Sequence, residues 1–182
     1  MREFISAARL LALAAFTNAL FSGVTLAGEV TIRVTTVNPP TGESWKEVMA
    51  TAERVTKRTE GRIAFEGYPS GQLGTTTDSI EQASQGLPIM TFTSASFLAG
   101  FGVPELSIVE GPFIISNAEE GERLANSELM QSFFDRLAET SGLRVVALNW
   151  FDGPRHMIGT AAYPNPEYLK GVRMRVPPVE TW

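Results

Sequence analysis

The chain predicts an α/β protein with a largely parallel sheet. Three observations carry that expectation. Segments of β-period and helix-period alternate along the 182 residues, and clusters of Gly and Pro separate them. One strand-like run, Val145 to Leu148, is almost unbroken in its apolar character, as a strand covered on both faces would be.

The first 27 residues stand apart from this pattern. Arg2 supplies a weak cationic start, and a mostly apolar stretch runs from Ile5 to Leu20. Thr25-Leu26-Ala27 then places small residues three before and one before a cut ahead of Gly28. That order predicts a cleaved export signal. The longest uninterrupted apolar run there, Leu10 to Phe16, is far short of the roughly 20 residues a bilayer span needs.

From Val30 the residues alternate. Val30, Ile32 and Val34 point one way and Thr31, Arg33 and Thr35 the other, so Glu29 to Val37 is a predicted strand. Asn38-Pro39-Pro40 ends it, because proline has no backbone donor for a ladder. Trp45, Val48, Met49, Ala52 and Val55 recur at helical spacing over Glu43 to Thr59, and Gly61 stops that helix. Ile63 and Phe65 open a second strand, closed by Pro69-Ser70-Gly71. A short helix over Asp78 to Gln85 leads through Gly86 to a third strand, Leu87 to Phe92. This is β-α-β-α-β.

A Gly- and Pro-punctuated stretch, Ala99 to Pro112, opens a second block. Glu119-Glu120 suits a helix start, where negative charge meets the positive end of the dipole. The next helix is expected to bury Leu129, Met130, Phe133, Phe134 and Leu137, and Gly142 ends it. Strands are expected over Arg144 to Phe151 and Val172 to Val176, joined by the loop Asp152 to Gly171. The domain expectation is an export segment over 1–27, a first α/β lobe over 28–150, and a crossover with the start of a second lobe over 151–182.

Composition excludes several functions. With 15 basic against 20 acidic side chains and a pI near 5.0, the chain lacks the basic footprint of a nucleic-acid binder. Zero cysteines exclude disulfides, thiol catalysis and cysteine-ligated metals. His156 is the single histidine, no Gly-x-Ser-x-Gly elbow presents a serine, and no nucleotide-binding glycine loop occurs. No catalytic residue, cofactor or metal ligand is expected.

What remains is a set of arginines. Arg155 follows Gly153-Pro154 in a loop. In the strand Val172 to Val176, Val172, Met174 and Val176 share one face, so Arg173 and Arg175 share the other. Such a face is either a solvated edge or the wall of an anion site. A guanidinium fork matches a carboxylate bidentately, so the second reading is chemically apt.

Four segments taken together carry a resemblance. They are Tyr68-Pro69-Ser70-Gly71-Gln72-Leu73-Gly74; Pro104-Glu105-Leu106 with Pro112-Phe113; Gly153-Pro154-Arg155; and Leu169-Lys170-Gly171-Val172-Arg173-Met174-Arg175-Val176-Pro177. In this order they resemble the periplasmic substrate-binding proteins of tripartite ATP-independent periplasmic (TRAP) transporters. The resemblance implies a periplasmic-binding-protein-like, two-lobed fold that closes on a small organic acid. It also implies delivery of that acid to a membrane permease driven by an ion gradient. The matching carboxylate-gripping residue is Arg175, with Arg155 assisting. The candidate ligand-binding residues are Arg175, Arg155, Trp150, Ser94 and Asn38.

Thr93-Ser94-Ala95-Ser96-Phe97 lacks the acid and base of sialic-acid-binding members, so sialic acid is not expected. Family members continue past the position of Trp182, so the chain is expected to be the amino-terminal part, its second lobe incomplete. The competing readings are an exported hydrolase or lyase using Asp152 and His156, or a fragment without function.

Overall fold

The computed structural model describes residues 30–151, 153 and 156–179. The expected export segment, Asp152, Arg155 and residues 180–182 lie outside them.

Strand β1, Val30–Thr35, is the middle of a three-stranded, all-parallel sheet in the order β2-β1-β3. Its backbone N–H and C=O groups are directed to both edges, so one strand is flanked on both sides. Val34 is opposite Gly67 of β2, Ile63–Tyr68, and opposite Met90 of β3, Ile89–Thr91. Val34 is fully buried, as a central strand requires.

Helix α1, Glu43–Arg58, links β1 to β2. Its apolar spacing does what the sequence predicts, since Trp45 and Ala52 are buried. Trp45 packs on Gly67, where a Cβ would stand only 2.8 Å from the indole Cζ2. Helix α2, Thr76–Ser84, links β2 to β3 and begins on a reciprocal cap. The Asp78 amide donates to Thr75 Oγ1 at 3.2 Å, and the Thr75 amide donates to Asp78 Oδ2 at 2.8 Å.

The main core lies beyond the sheet. Ile80, Ala95, Val103, Leu106, Met130, Leu137 and Leu143 form one buried cluster. It draws on α2, on the short helix α3 (Ala95–Ala99), on a 3-10 run over Pro104–Glu110, and on α5 (Glu128–Ser141). Each fully buried Leu or Met there contributes roughly 1.5–3 kcal/mol. An ion pair of 2.6 Å between Arg136 and Glu105 ties α5 to the 3-10 run.

Helix α4, Ala118–Ala125, starts where Glu119-Glu120 suggests. Asn117 Oδ1 accepts from the Glu120 amide at 3.0 Å, and Glu120 Oε2 accepts from the Ser116 amide at 2.8 Å. Ser127 caps α5, and Gly142, at φ 73°, ends it in the left-handed region.

Three expectations need correction. The strand expected over Arg144 to Phe151 has no regular secondary structure and pairs with none of β1–β3, and the same holds for Val172 to Val176. A period of two is necessary for a strand, but a ladder also needs a neighbouring backbone. Val172, Met174 and Val176 are exposed, and so are Arg173 and Arg175, so among the described residues no buried face opposes the cations. Leu129, expected on the buried side of α5, is 54% exposed. Met130 and Leu137 define that face, and Leu129 stands about 100° round the helix from Met130.

Candidate functional site

In a sheet ordered 2-1-3 the chain leaves the middle strand first to one side and then to the other. In an open parallel sheet such a reversal of direction is where ligands bind, outside the carboxyl ends of the strands, here between β1 and β3. That is where the sequence places Asn38 and Ser94, three residues past β1 and three past β3.

The end of β1 is held in a defined shape. The Phe92 amide donates to Thr35 O at 3.4 Å, and the Asn38 amide donates to Thr36 Oγ1 at 3.1 Å. The loop after β2 is buckled to the same segment, with Ser70 N donating to Asn38 O and Gly71 N to Thr36 O, both at 2.9 Å. These bonds explain the composition of Pro69-Ser70-Gly71-Gln72-Leu73-Gly74. Ser70 and Gly71 take φ of 57° and 71°, and Gly74 takes 104°. A Cβ on Gly74 would also meet Asp78 Oδ2 at 2.7 Å, against the cap of α2. The Asn38 backbone is therefore fixed by two partners while its side chain is exposed.

Beyond β3 the polar groups come in a chain. Ser94 Oγ is 3.0 Å from Ser96 Oγ, and Ser96 Oγ donates to Glu110 Oε2 at 2.7 Å. Ser96 is buried, and Ser94 and Glu110 are half-buried. Ser94 occupies the N-cap position of α3, yet its hydroxyl makes no capping bond. Trp150 meets Phe92 edge-on, ring centroids 6.1 Å apart and planes at 80°, and is half exposed. The structure thus brings Asn38, Ser94 and Trp150 to one end of the sheet.

Arg175 is not joined to them. It is exposed in the segment after the 3-10 turn Pro166–Leu169, and among the described residues no hydrogen bond or ion pair ties it to Asn38, Ser94 or Trp150. Arg155 lies outside the described residues. His156 is exposed, and its suggested partner Asp152 lies outside the described residues.

Sequence reasoning missed Thr36, Ser96 and Glu110. Thr36 follows β1 directly, Ser96 lies in α3 just beyond β3, and Glu110 reaches Ser96 from the end of the 3-10 run 14 residues away. The signal available for Thr36 was its place between a strand and Asn38-Pro39-Pro40. No spacing rule links Ser96 to Glu110.

The bacterial extracellular solute-binding protein family 7 is matched over residues 34–182. The chain belongs to this family. The fold agrees, for a TRAP periplasmic solute-binding protein from Ochrobacterium anthropi with bound L-fuconate superposes with a TM-score of 0.79 at 30% identity. That match covers 85% of this chain and 50% of the other. A second, from Desulfovibrio salexigens in complex with diglycerolphosphate, gives a TM-score of 0.78 at 25% identity, covering 84% and 49%. A solute-binding protein from Chromohalobacter salexigens is 28% identical over 143 residues, covering 77% of this chain and 41% of that protein. The family 7 chain described here thus spans about half or less of the length of these relatives. Its structural and curated neighbours are solute-binding proteins rather than enzymes, and among its described residues no helix is long and apolar enough to cross a membrane.

Proposed function

We propose that this family 7 protein is the extracytoplasmic binding component of a TRAP transporter. It captures a small organic acid and delivers it to an ion-gradient-driven permease. The observation that carries this reading is the family match, supported by the parallel sheet in the order β2-β1-β3, past whose strand ends Asn38 and Ser94 follow β1 and β3. Solved relatives hold L-fuconate, L-galactonate and D-erythronate, each a carboxylate bearing hydroxyls.

In this reading the ligand enters between the lobe over 28–150 and the part of the protein that begins with the crossover at 151–182. Arg175 pairs with its carboxylate through two parallel N–H···O bonds, and Arg155 assists. The indole of Trp150 covers the apolar side of the carbon chain. Residues 1–27 direct export to the periplasm and are removed there. Calorimetric titration with a panel of carboxylates tests the proposal. Stoichiometric binding without turnover supports it, and turnover of any of them refutes it.

A further inference from the structure

We infer that the outer edge of β2 is built to refuse pairing with a second copy of this chain. Its hydrogen-bonding groups are closed at both ends, and Glu66 stands at the centre of the stretch left open.

β2 is an edge strand, and among the described residues no strand lies beyond it. Its bonds to β1 use every second residue. Val30 N donates to Arg62 O at 2.9 Å and Thr36 N donates to Tyr68 O at 3.3 Å, with Val30 opposite Ile63 and Thr35 opposite Tyr68. Residues 62, 64, 66 and 68 therefore turn their backbone groups to β1, and 63, 65, 67 and 69 turn theirs outward. Such an outward row is a template for another strand.

Two of the four outward positions are closed. Thr59 Oγ1 accepts from the Ile63 amide at 3.2 Å, and its hydroxyl lies 3.5 Å from Ile63 O, so one side chain stands where a neighbouring strand would. Pro69 has no N–H, and its carbonyl accepts from the Gln72 amide at 3.3 Å. Phe65 and Gly67 are left. Among the described residues neither has a backbone partner for its outward N–H or C=O.

Between two copies, one antiparallel register uses all of these groups. Phe65 then pairs with Gly67 of the second copy, and Gly67 with its Phe65. Any other two-fold register sets Phe65 or Gly67 against a residue whose groups are closed. In the register that remains, Glu66 faces Glu66 as a non-hydrogen-bonded pair, with Cα atoms about 4.5 Å apart. Like charges directly opposite destabilise a strand pair. The carboxylate is not neutralised on its own sheet. Glu66 is exposed, its hydrogen bond comes from the neutral Tyr68 hydroxyl at 2.9 Å, and among the described residues no ion pair joins it to Arg33 opposite on β1.

A charge swap tests this. Sedimentation equilibrium is run on the unaltered full chain, on Glu66→Lys, and on their equimolar mixture. Either protein alone brings like charges together and is expected to stay monomeric. The mixture brings opposite charges together and is expected to associate about tenfold more tightly than either alone. Hydrogen exchange locates the contact, with the Phe65 and Gly67 amides slowing in the mixture. Glu53→Lys, on the exposed side of α1, is expected to leave its mixture with the unaltered chain monomeric, which separates strand pairing from general attraction. Glu66→Gln keeps an acceptor for Tyr68 and is expected to self-associate more than the unaltered chain. Thermal midpoints confirm that each variant is folded. A mixture that associates no more tightly than its components overturns the inference, and so does equal association with Glu53→Lys or slowed exchange away from β2. Should Glu66→Lys fail to fold, Glu66→Gln decides, and self-association equal to that of the unaltered chain overturns it. None of these outcomes bears on the transporter reading.

Discussion

Trp45 of α1 rests on Gly67 of β2 so closely that a Cβ on the glycine would lie 2.8 Å from the indole Cζ2. The Met49 methyl would be 3.2 Å away on the same side. Gly67 is the fifth of the six residues of β2, inside a strand, where glycine is ordinarily a weak choice. Here its missing side chain is the seat of the helix, and that contact fixes the distance between α1 and the sheet. Because β1 pairs with β2 through Val34 and Gly67, the same contact supports the strand whose end carries Asn38.

Gly67→Ala should therefore destabilise the chain by about 1–3 kcal/mol, the usual cost of forcing an extra carbon into a packed site. Thermal or urea unfolding measures it. A midpoint equal to that of the unaltered protein would mean the indole moves aside freely.

Trp45→Ala removes the other half of the contact. With the indole only 8% exposed, the expected loss is about 3–5 kcal/mol. The two substitutions share one space, so their effects should not add. In the double variant the alanine at 67 meets no indole, and its cost should fall well below its cost alone. Additive losses would contradict the packing described.

The elements that support this contact were legible in the sequence because each is specified locally. The alternation of Val30, Ile32 and Val34 and the spacing of Trp45, Val48 and Ala52 recover β1 and α1 to within two residues at each end. Gly142 marks the end of α5 because only a left-handed residue turns the chain there. What was not legible depends on neighbours. Gly100, Gly102 and Pro104 read as loop, although Val103 and Leu106 in that stretch are fully buried. Residues 172–176 have strand alternation but no partner backbone. At the site, Asn38 and Ser94 were found because loops after strands are local features. The relay from Ser96 to Glu110 was not, since it joins two elements that only the fold brings together.

Three carboxyls are held below the usual range. Asp78 accepts first from the Thr75 amide, Glu105 from its own backbone amide ahead of Arg136, and Glu120 from the Ser116 amide. A lowered folded value means the unfolded chain takes up protons first as acid is added. The stability these groups contribute is present above the unfolded carboxyl value of about 4 and is lost as pH falls through the folded values. Asp78→Asn should shrink the drop in thermal midpoint between about pH 7 and about pH 3. Thr75→Ala, which removes the cap itself, should cost about 1 kcal/mol at neutral pH. An acid limb unchanged by Asp78→Asn would assign the acid sensitivity elsewhere.

The proposed export should leave a mass signature. Material recovered from the periplasm should begin at or near Gly28, because the apolar run and Thr25-Leu26-Ala27 precede it. Intact-mass measurement decides this, and mature protein still carrying Met1 would refute the processing.

The sharpest functional expectation concerns Arg175. Arg173 and Arg175 are two residues apart and both exposed, so geometry alone treats them alike. The family motif distinguishes them, and chemistry says how large the difference should be. A guanidinium closed over a carboxylate loses its water and makes two parallel hydrogen bonds, whereas an exposed arginine contributes little. Arg175→Ala should weaken carboxylate binding by about 2–5 kcal/mol, as when a buried charge pair loses one partner. Arg175→Lys should recover only part, since a point charge cannot reproduce the planar fork. Arg173→Ala should be nearly silent. Raising the ionic strength separates this from surface attraction. A residual effect of Arg173 should fade with salt, while the Arg175 contribution persists, because a desolvated pair is screened much less than an exposed one. Equal affinities for the unaltered protein and Arg175→Ala would remove the anchor from the proposed site, and the carboxylate would then have to be held by groups at the strand ends.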